Sequence, residues 1–469
     1  MTTLVILNLM LGACNPTVDP TPVFTKSDLV KAYENATEGI NYALVGDTTL
    51  PQNTAPLHPL PAKMADVATL KAANGSFRYV AIGASLTAGV RDGGWFNEGI
   101  TTAYPNLIAR QMGITDFKQP LFEATEYNGY GLKLQTVNKE TPINRYKAVG
   151  NNLAFKPSGT EMILSPYTGT SLDNFAVPNL LNWGLSSTLN SNTSENKYYK
   201  IFLKRQLLNK TSVYNNIDNS KIDLLSIESY TQDLIINALS SGESPVNFKW
   251  IAPPFWNPDD KFNWEVEELI LDKFKAKNSK AVLLNIPNIL RLPYFKNSKK
   301  LSEIKSITKQ ENIWGSQNGI NTAVFYEDAN NLFLPTLMID SLLNKNISVD
   351  NRVGLSSKKP IILKGNILSG KTMDLINGNK KIFNDYFIYL SKRYNTPIVD
   401  IETLYKKIDE GIYVSDEGLK VTDKEFFSSD GLYPSAYGQA LIANECIKTM
   451  NSFYKTNIAL IKTSFYINR

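Results

Sequence analysis

The stretch of residues 77–94, FRYVAIGASLTAGVRDGG, constrains the fold more than any other part of the chain. Residues 77–82 are an apolar run rich in β-formers, which is typical of a strand buried on both faces. The small residues 83–89 allow a sharp turn into a helix, and we expect Ser85 to be exposed at its tip. A serine at this position could act as a nucleophile, because backbone N–H groups at a helix N-terminus can face a developing oxyanion. A purely structural strand-to-helix turn is the alternative.

Strand and helix patterns alternate along the rest of the chain. Apolar runs predict strands at residues 222–227, 248–252, 281–286 and 397–401. Helical spacing of apolar residues occurs at residues 102–112, 232–239, 264–277, 373–393 and 434–454. This alternation predicts an α/β fold in which helices cover both faces of a mostly parallel sheet.

The length of the chain leaves room for additions to such a sheet. With 469 residues, of which 43% are hydrophobic, it suits one large domain with insertions or two domains. Residues 113–170 are loop-like and rich in Gly, Asn, Pro and Tyr, and residues 298–360 are polar with many Asn and Lys. We predict that both segments are insertions and that the first covers the Ser85 turn.

Two further stretches connect the Ser85 turn with a known family. Residues 83–89, GASLTAG, resemble the first sequence block of the SGNH/GDSL hydrolases, and residues 430–435, DGLYPS, resemble their last block, DGxHPS. Residues 285–295, NIPNILRLPYF, are similar to a stretch of bacterial lipoprotein members. The resemblance spans roughly residues 70–460. It implies a flavodoxin-like, three-layer α/β/α fold with a mostly parallel sheet.

The resemblance also assigns the catalytic positions. It implies that Ser85 is the nucleophile and that Asp430 belongs to the triad, but the histidine position is occupied by Tyr433. A general base needs a pKa near the working pH, and tyrosine, with a pKa near 10, is a poor one. The only histidine, His58, lies in the proline-rich residues 55–61, and we expect it on an exposed surface loop rather than beside Ser85.

The oxyanion positions also depart from the family pattern. Leu86 N–H is one candidate donor. Asn179 follows Val177-Pro178, where the family usually has Gly, and is a second. The third block is normally GxND after an apolar strand. At residues 250–259 it is replaced by WIAPPFWNPD, in which Asn257 is the remaining candidate. Together with Ala84, where the family has Asp or Asn, these changes indicate a decayed active site.

The N-terminal residues resemble an export signal. Residues 4–13 form a short apolar run, too short to span a bilayer, and residues 11–14, LGAC, resemble a bacterial lipobox with Cys14 as the lipidated residue. The predicted organisation is a lipoprotein signal peptide (1–14), a tether and N-terminal segment (15–70) and an SGNH-like domain (71–460). It places the protein in the bacterial cell envelope, lipid-anchored at the outer membrane on its periplasmic or surface face. A buried N-terminal strand with an ordinary cysteine is the alternative.

Composition limits the other classes of function. The chain has two cysteines, so neither a disulfide framework nor a cysteine metal site is expected, and Cys446 is predicted to be a small core residue. No cofactor and no metal are expected. The net charge of +5 is mild and scattered, which does not suggest nucleic-acid binding.

Three functional hypotheses follow. The first is an active serine esterase or lipase that cleaves acyl or acetyl esters with Ser85. The second is a degenerate member, non-catalytic or very weak, that binds an acyl ester, lipid or glycan in the old cleft or docks onto an outer-membrane protein. In the third, Tyr433 orients Ser85 and Asp430 acts as the base through a water molecule. The missing histidine favours the second.

Overall fold

The computed structural model of the chain describes residues 57–63, 65–72, 76–130, 132–135, 145–148, 152–158, 161–185, 202–203, 205–206, 212–217, 221–242, 265–317, 319–324 and 330–467. Several sequence predictions lie outside these residues. They are the signal peptide with Cys14, most of the tether, the strand at residues 248–252, and the third block with Asn257.

Short strands occur throughout the described chain. They are β1 (Tyr79–Ile82), β2 (Leu132–Gln135), β3 (Arg145–Ala148), β4 (Phe155–Ser158), β5 (Glu161–Leu164), β6 (Leu224–Glu228), β7 (Lys280–Leu284), β8 (Lys299–Lys300), β9 (Ile313–Gln317), β10 (Ile320–Val324), β11 (Leu332–Phe333), β12 (Ile361–Ile362), β13 (Ile367–Leu368) and β14 (Ile398–Val399). Strands β2 to β5 form two antiparallel pairs within residues 113–170, a segment that the sequence predicts to be loop.

Helices follow most of the buried strands. They are α1 (Ser85–Ala88), α2 (Asn97–Thr101), α3 (Tyr104–Gln111), α4 (Val213–Asn216), α5 (Thr231–Leu239), α6 (Glu265–Lys275), α7 (Pro293–Lys296), α8 (Leu301–Thr308), α9 (Leu337–Leu343), α10 (Gly370–Tyr394), α11 (Ile401–Asp409), α12 (Asp423–Phe426) and α13 (Ala436–Tyr454). Among the described residues, no helix is both long enough and apolar enough to cross a membrane.

A four-stranded parallel sheet forms the centre of the molecule, in the order β1-β6-β7-β14. On the other side of β1, Ala81 forms a parallel bridge with Asn174, and Ala81 N–H donates to the Asp173 carbonyl over 2.9 Å. Five segments therefore lie side by side in the order Asn174 segment, β1, β6, β7 and β14. When they are numbered as they occur along the chain, β1 is first and the Asn174 segment second, so the order across the sheet is 2-1-3-4-5. The predicted α/β fold with a parallel sheet is confirmed.

The helices pack in two groups beside this sheet. Helices α3 and α13 contact each other, and α10 contacts both α5 and α6. The 25-residue helix α10 illustrates the pattern, since its buried side chains recur at helical spacing: Ile376, Phe383, Phe387, Leu390 and Tyr394. Ser369 begins this helix by accepting a hydrogen bond from Thr372 N–H, and Asn395 ends it in the left-handed conformation.

Residues 299–368 have a small hydrophobic core of their own. Its buried members are Leu301, Ile304, Ile313, Phe333, Ile339, Leu342, Leu343, Ile361 and Ile367. Strand β11 pairs on one side with β8, where the segment begins, and on the other with β13, where it ends. Because adjacent strands lie about 4.8 Å apart, the two ends of the segment are separated by only about 10 Å. The segment is therefore a compact addition to the main sheet.

Candidate functional site

The Ser85 turn lies at the carboxyl end of β1, where the sequence predicts it. A Cβ at Gly83 would lie 2.3 Å from Thr87 Oγ1 and 2.8 Å from Glu228 Oε2, so the turn requires glycine at that position. Ser85 is the first residue of α1, but its exposed fraction is 0%. The prediction that Ser85 is exposed is therefore wrong, because other parts of the chain fold over the turn.

Two of the predicted oxyanion donors lie beside Ser85. Asn179 N–H donates to Ser85 Oγ over 2.9 Å. Asn179 has a φ of 57°, a left-handed conformation that favours glycine and that asparagine tolerates better than most residues. Leu86 is the second residue of α1, so its N–H has no acceptor within that helix.

Tyr433 also lies beside the Ser85 turn. Its phenol donates a hydrogen bond to Gln232 Oε1 over 2.8 Å and lies near Ser85. Gln232 Nε2 in turn lies 3.4 Å from Asn179 Oδ1, and Ser85 Oγ lies 3.4 Å from the same oxygen. These four side chains, Ser85, Asn179, Gln232 and Tyr433, form a connected polar group around the turn, which we call the polar ring.

Tyr433 is unsuited to the role of general base. The phenol is buried, and burial raises the pKa of Tyr433 well above its usual value. It therefore stays protonated at neutral pH and can act only as a neutral hydrogen-bonding group. The position at which the SGNH/GDSL resemblance implies a histidine is filled by a group that cannot accept the serine proton.

Asp430 binds backbone groups. Its Oδ1 accepts hydrogen bonds from Leu432 N–H over 2.8 Å and Tyr433 N–H over 2.9 Å, and its Oδ2 accepts from Gly93 N–H over 3.0 Å. Burial, with a smaller contribution from Asp92, raises the pKa of Asp430 to about 6. The carboxylate thus fixes the turn that presents Tyr433 and joins it to the loop that follows α1.

Little space remains around the polar ring. A cavity of about 10 Å³ lies there, lined among others by Leu86, Gln232, Leu432 and Tyr433. We call it the inner cavity. This volume is about what one water molecule needs. Since Ser85 is fully buried, an acyl ester could not reach it without movement of the side chains around it.

Three buried carboxyl groups lie beneath the ring. Glu228 Oε2 accepts hydrogen bonds from Ala84 N–H over 3.0 Å and from Thr87 Oγ1 over 3.1 Å, which stabilises the start of α1. Asp233 accepts from Asn182 N–H over 3.2 Å. Burial raises the pKa of Asp233 to about 8 and that of Glu267 to about 7, and it also raises the pKa of Glu228.

Gln232, Tyr230 and Glu228 are site residues that the sequence analysis missed. They occur where β6, the neighbour of β1, ends and α5 begins. Tyr230 has a φ of 65°, a conformation that is rare for a bulky side chain, and it stacks on Phe383 with the ring centres 4.2 Å apart. The sequence signal that could have identified these residues is the polar run directly after the predicted strand at residues 222–227. Parallel strands end at the same edge of a sheet, so polar residues that follow this strand lie at the same edge as the Ser85 turn.

His58 is buried, so the prediction of an exposed loop histidine is wrong. Its Nδ1 lies 2.6 Å from Tyr466 Oη, its Nε2 lies 3.2 Å from Gln111 Nε2, and its carbonyl accepts from Arg110. Burial, followed by the charge of Arg110, lowers the pKa of His58 to about 4. Its partners belong to α3 and the C-terminal segment, so its place in the fold is structural.

Cys446 is buried in the core, as the sequence predicts. Across the part of the chain that the structure describes, no group of three or more His, Cys, Asp or Glu side chains is arranged to hold a metal ion. In comparisons with known proteins, no family model, no curated protein and no solved structure matches the chain.

Proposed function

We propose that this protein is a degenerate SGNH/GDSL-type lipoprotein of the bacterial envelope that binds a ligand or partner and has lost ester hydrolysis. The observation on which the proposal rests is the fully buried Ser85, beside which the protonated phenol of Tyr433 occupies the position where the resemblance implies the base. Hydrolysis needs a nucleophile that the substrate can reach and a base that takes its proton. Neither requirement is met by this arrangement.

The segment order supports the family part of the proposal. The order 2-1-3-4-5 is that of flavodoxin-like sheets, in which ligands bind at the carboxyl ends of the strands beside the first strand. Ser85 and Asn179 lie at that place. Residues 230–233, YTQD, follow β6 and suit the third block, GxND, better than residues 250–259 do, since Tyr230 has the left-handed φ that glycine adopts readily.

The catalytic part of the proposal can be tested with a serine-reactive probe. Purified wild-type protein, Ser85→Ala and Tyr433→His are treated with a fluorophosphonate and assayed with p-nitrophenyl acetate and butyrate. We expect no labelling and no turnover in the wild type. The double variant Tyr433→His/Ser85→Ala is the control. Turnover in Tyr433→His that is absent from the double variant would show that the lack of a base at residue 433 abolished hydrolysis at Ser85. Labelling of the wild type that disappears in Ser85→Ala would instead establish the active esterase.

The envelope part of the proposal can be tested separately. Full-length protein and Cys14→Ser are expressed in a bacterium with lipoprotein processing, and Cys446→Ser serves as the matched control. We expect the wild type and the control in the membrane fraction and Cys14→Ser in the soluble fraction. Equal membrane association of all three would contradict a lipid anchor at Cys14.

A further inference from the structure

A second and larger space lies next to the inner cavity. It is a cleft of about 320 Å³, lined among others by Asn288, Arg291, Lys406 and Phe427. We call it the outer cleft. Leu292 and Tyr405 form part of the wall of both spaces. The outer cleft is bordered by the segment after β7 and by α11, which follows β14, so it lies beside the carboxyl ends of parallel strands, where open α/β sheets bind ligands.

The charged side chains of the outer cleft balance one another. Three cations (Arg291, Lys380 and Lys406) and four carboxylates (Glu402, Asp409, Glu410 and Asp423) line it. Lys296 supplies a fourth cation, since it bonds both Asp409 and Asp423. Arg291 pairs with Asp409 over 2.7 Å, and Lys380 pairs with Glu402. An anionic or cationic ligand would therefore find no excess of opposite charge.

Hydrogen-bonding capacity nevertheless remains in the cleft. Asp423 Oδ1 is buried and has no hydrogen-bond partner within the described part of the chain. The Arg291 and Lys406 side chains are 62% and 69% exposed, so their N–H groups can reach a ligand. Beside these polar groups, the buried side chains of Leu292, Tyr405 and Phe427 supply an apolar wall.

We propose that the outer cleft binds a neutral oligosaccharide. Sugar hydroxyls both donate and accept hydrogen bonds, so they can use the carboxylate oxygens and the cationic N–H groups together, while the C–H faces of a sugar ring pack on the apolar wall. The volume is at the lower end of that of small-molecule sites, so the cleft would enclose one or two units of the oligosaccharide and leave the rest outside. This inference rests on the binding role proposed above and moves it from the blocked Ser85 position to the neighbouring cleft.

The test is calorimetric titration of the full chain with neutral trisaccharides. The probes are maltotriose, cellotriose, xylotriose and N-acetylated chitotriose, with trigalacturonate as an anionic and spermidine as a cationic comparison. The cleft variant is Lys406→Ala/Glu410→Ala, which removes two exposed side chains. The matched control is Lys381→Ala/Asp385→Ala, an exposed pair on α10 with the same helical spacing. We expect at least one neutral probe to bind, with affinity about tenfold weaker or more in the cleft variant and within about twofold of wild type in the control.

Every other outcome overturns the inference. Absence of binding by all four neutral probes would exclude the ligand class, as would binding of the charged probes alone. Equal loss of affinity in both variants, or no loss in the cleft variant, would exclude the site. The fluorophosphonate assay measures the reactivity of Ser85 independently of ligand binding in the outer cleft. An active esterase, which would overturn the proposed function, would therefore be detected by that assay and not by the titrations.

Discussion

Tyr433 determines what the residues around Ser85 can do. Ser85, the Asn179 N–H and the start of α1 lie together at the end of β1. Tyr433 joins this arrangement as a neutral phenol that donates to Gln232, and Ser85 bonds Asn179. A site in which all polar groups bond within the protein is stabilising and has little chemistry left to offer a substrate.

Tyr433→Phe tests the energetic role of the phenol. Removal of its hydroxyl leaves Gln232 Oε1 buried without its donor, so we expect a loss of about 1–3 kcal/mol in the free energy of unfolding. Urea denaturation measures it. Tyr389→Phe, which removes a phenol that bonds Arg393 at the surface, should change stability by less than about 0.5 kcal/mol. Equal effects would contradict a special role for the ring.

His58 predicts an acid-dependent loss of stability. Its pKa is near 6.5 in the unfolded chain and about 4 in the fold, so between these values the unfolded state binds the proton more readily. The stability due to the neutral imidazole is present above pH 6.5 and is lost as the pH falls towards 4. Wild type should therefore exceed His58→Gln in stability by more at pH 7 than at pH 4.5, as measured by thermal unfolding. A pH-independent difference would contradict this assignment.

At the scale of elements, the turn at residues 428–433 is held by hydrogen bonds to a second loop. Asp92 Oδ1 accepts from Ser429 N–H and from its hydroxyl, and Asp92 N–H donates to Ser428 Oγ. Asp430 adds the bond from Gly93 N–H. The two loops therefore form one unit, although they are far apart in the sequence.

Asp430 variants test whether this aspartate is structural. Asp430→Ala leaves three buried N–H groups without their acceptor, and we expect a loss of about 2–4 kcal/mol together with faster hydrogen exchange at Gly93, Leu432 and Tyr433. Asp430→Asn keeps one acceptor oxygen and should cost less. Unchanged exchange at these amides in Asp430→Ala would show that the carboxylate does not hold the turn.

The sequence predicts some elements better than others, for physical reasons. The helix at α5 and the strands at β1 and β6 are close to the predicted ranges, because buried parallel strands and amphipathic helices have strong local patterns. Ser85 and His58 are contacted by residues distant in the sequence, among them Asn179 and Tyr466. Local patterns contain no information about such contacts, so both exposures were predicted wrongly. Gln232 was missed for a related reason, since its role depends on which strand lies next to β1.

At the scale of the whole molecule, the described chain has two hydrophobic cores. The main core surrounds the parallel sheet, and the second lies within residues 299–368. A segment whose two ends lie close together, on either side of β11, can unfold with limited disturbance of the rest. We therefore expect the two cores to differ in local stability.

Ile304→Ala tests this division. Ile304 is fully buried in the second core, and its truncation should cost about 2–5 kcal/mol there. Hydrogen exchange should accelerate within residues 299–368 and remain unchanged in β1 and β6. The matched variant Ile270→Ala, in the main core, should accelerate exchange around the sheet. If Ile304→Ala accelerates exchange equally everywhere, the chain unfolds as one unit.

The buried carboxyl group of Asp233 predicts a loss of stability as the pH rises from about 4 to 8. The pKa of Asp233 is about 8 in the fold and near 3.9 in the unfolded chain, so the stability that the protonated group contributes is present below about pH 4 and is lost as the pH rises to 8. Asp233→Asn keeps an acceptor for Asn182 N–H and removes the titration. We expect the variant to gain about 1–3 kcal/mol relative to wild type at pH 8 and less at pH 5. A gain that does not vary with pH would contradict the assignment.

The way in which Asp430 holds residue 433 also has a consequence for how the chain can evolve. The carboxylate binds the backbone N–H of that residue, so the turn does not depend on which side chain is attached. Tyrosine and histidine codons differ by one base. A single point mutation would therefore replace the phenol by an imidazole in an otherwise intact turn, and we expect natural variants of this gene to sample both states.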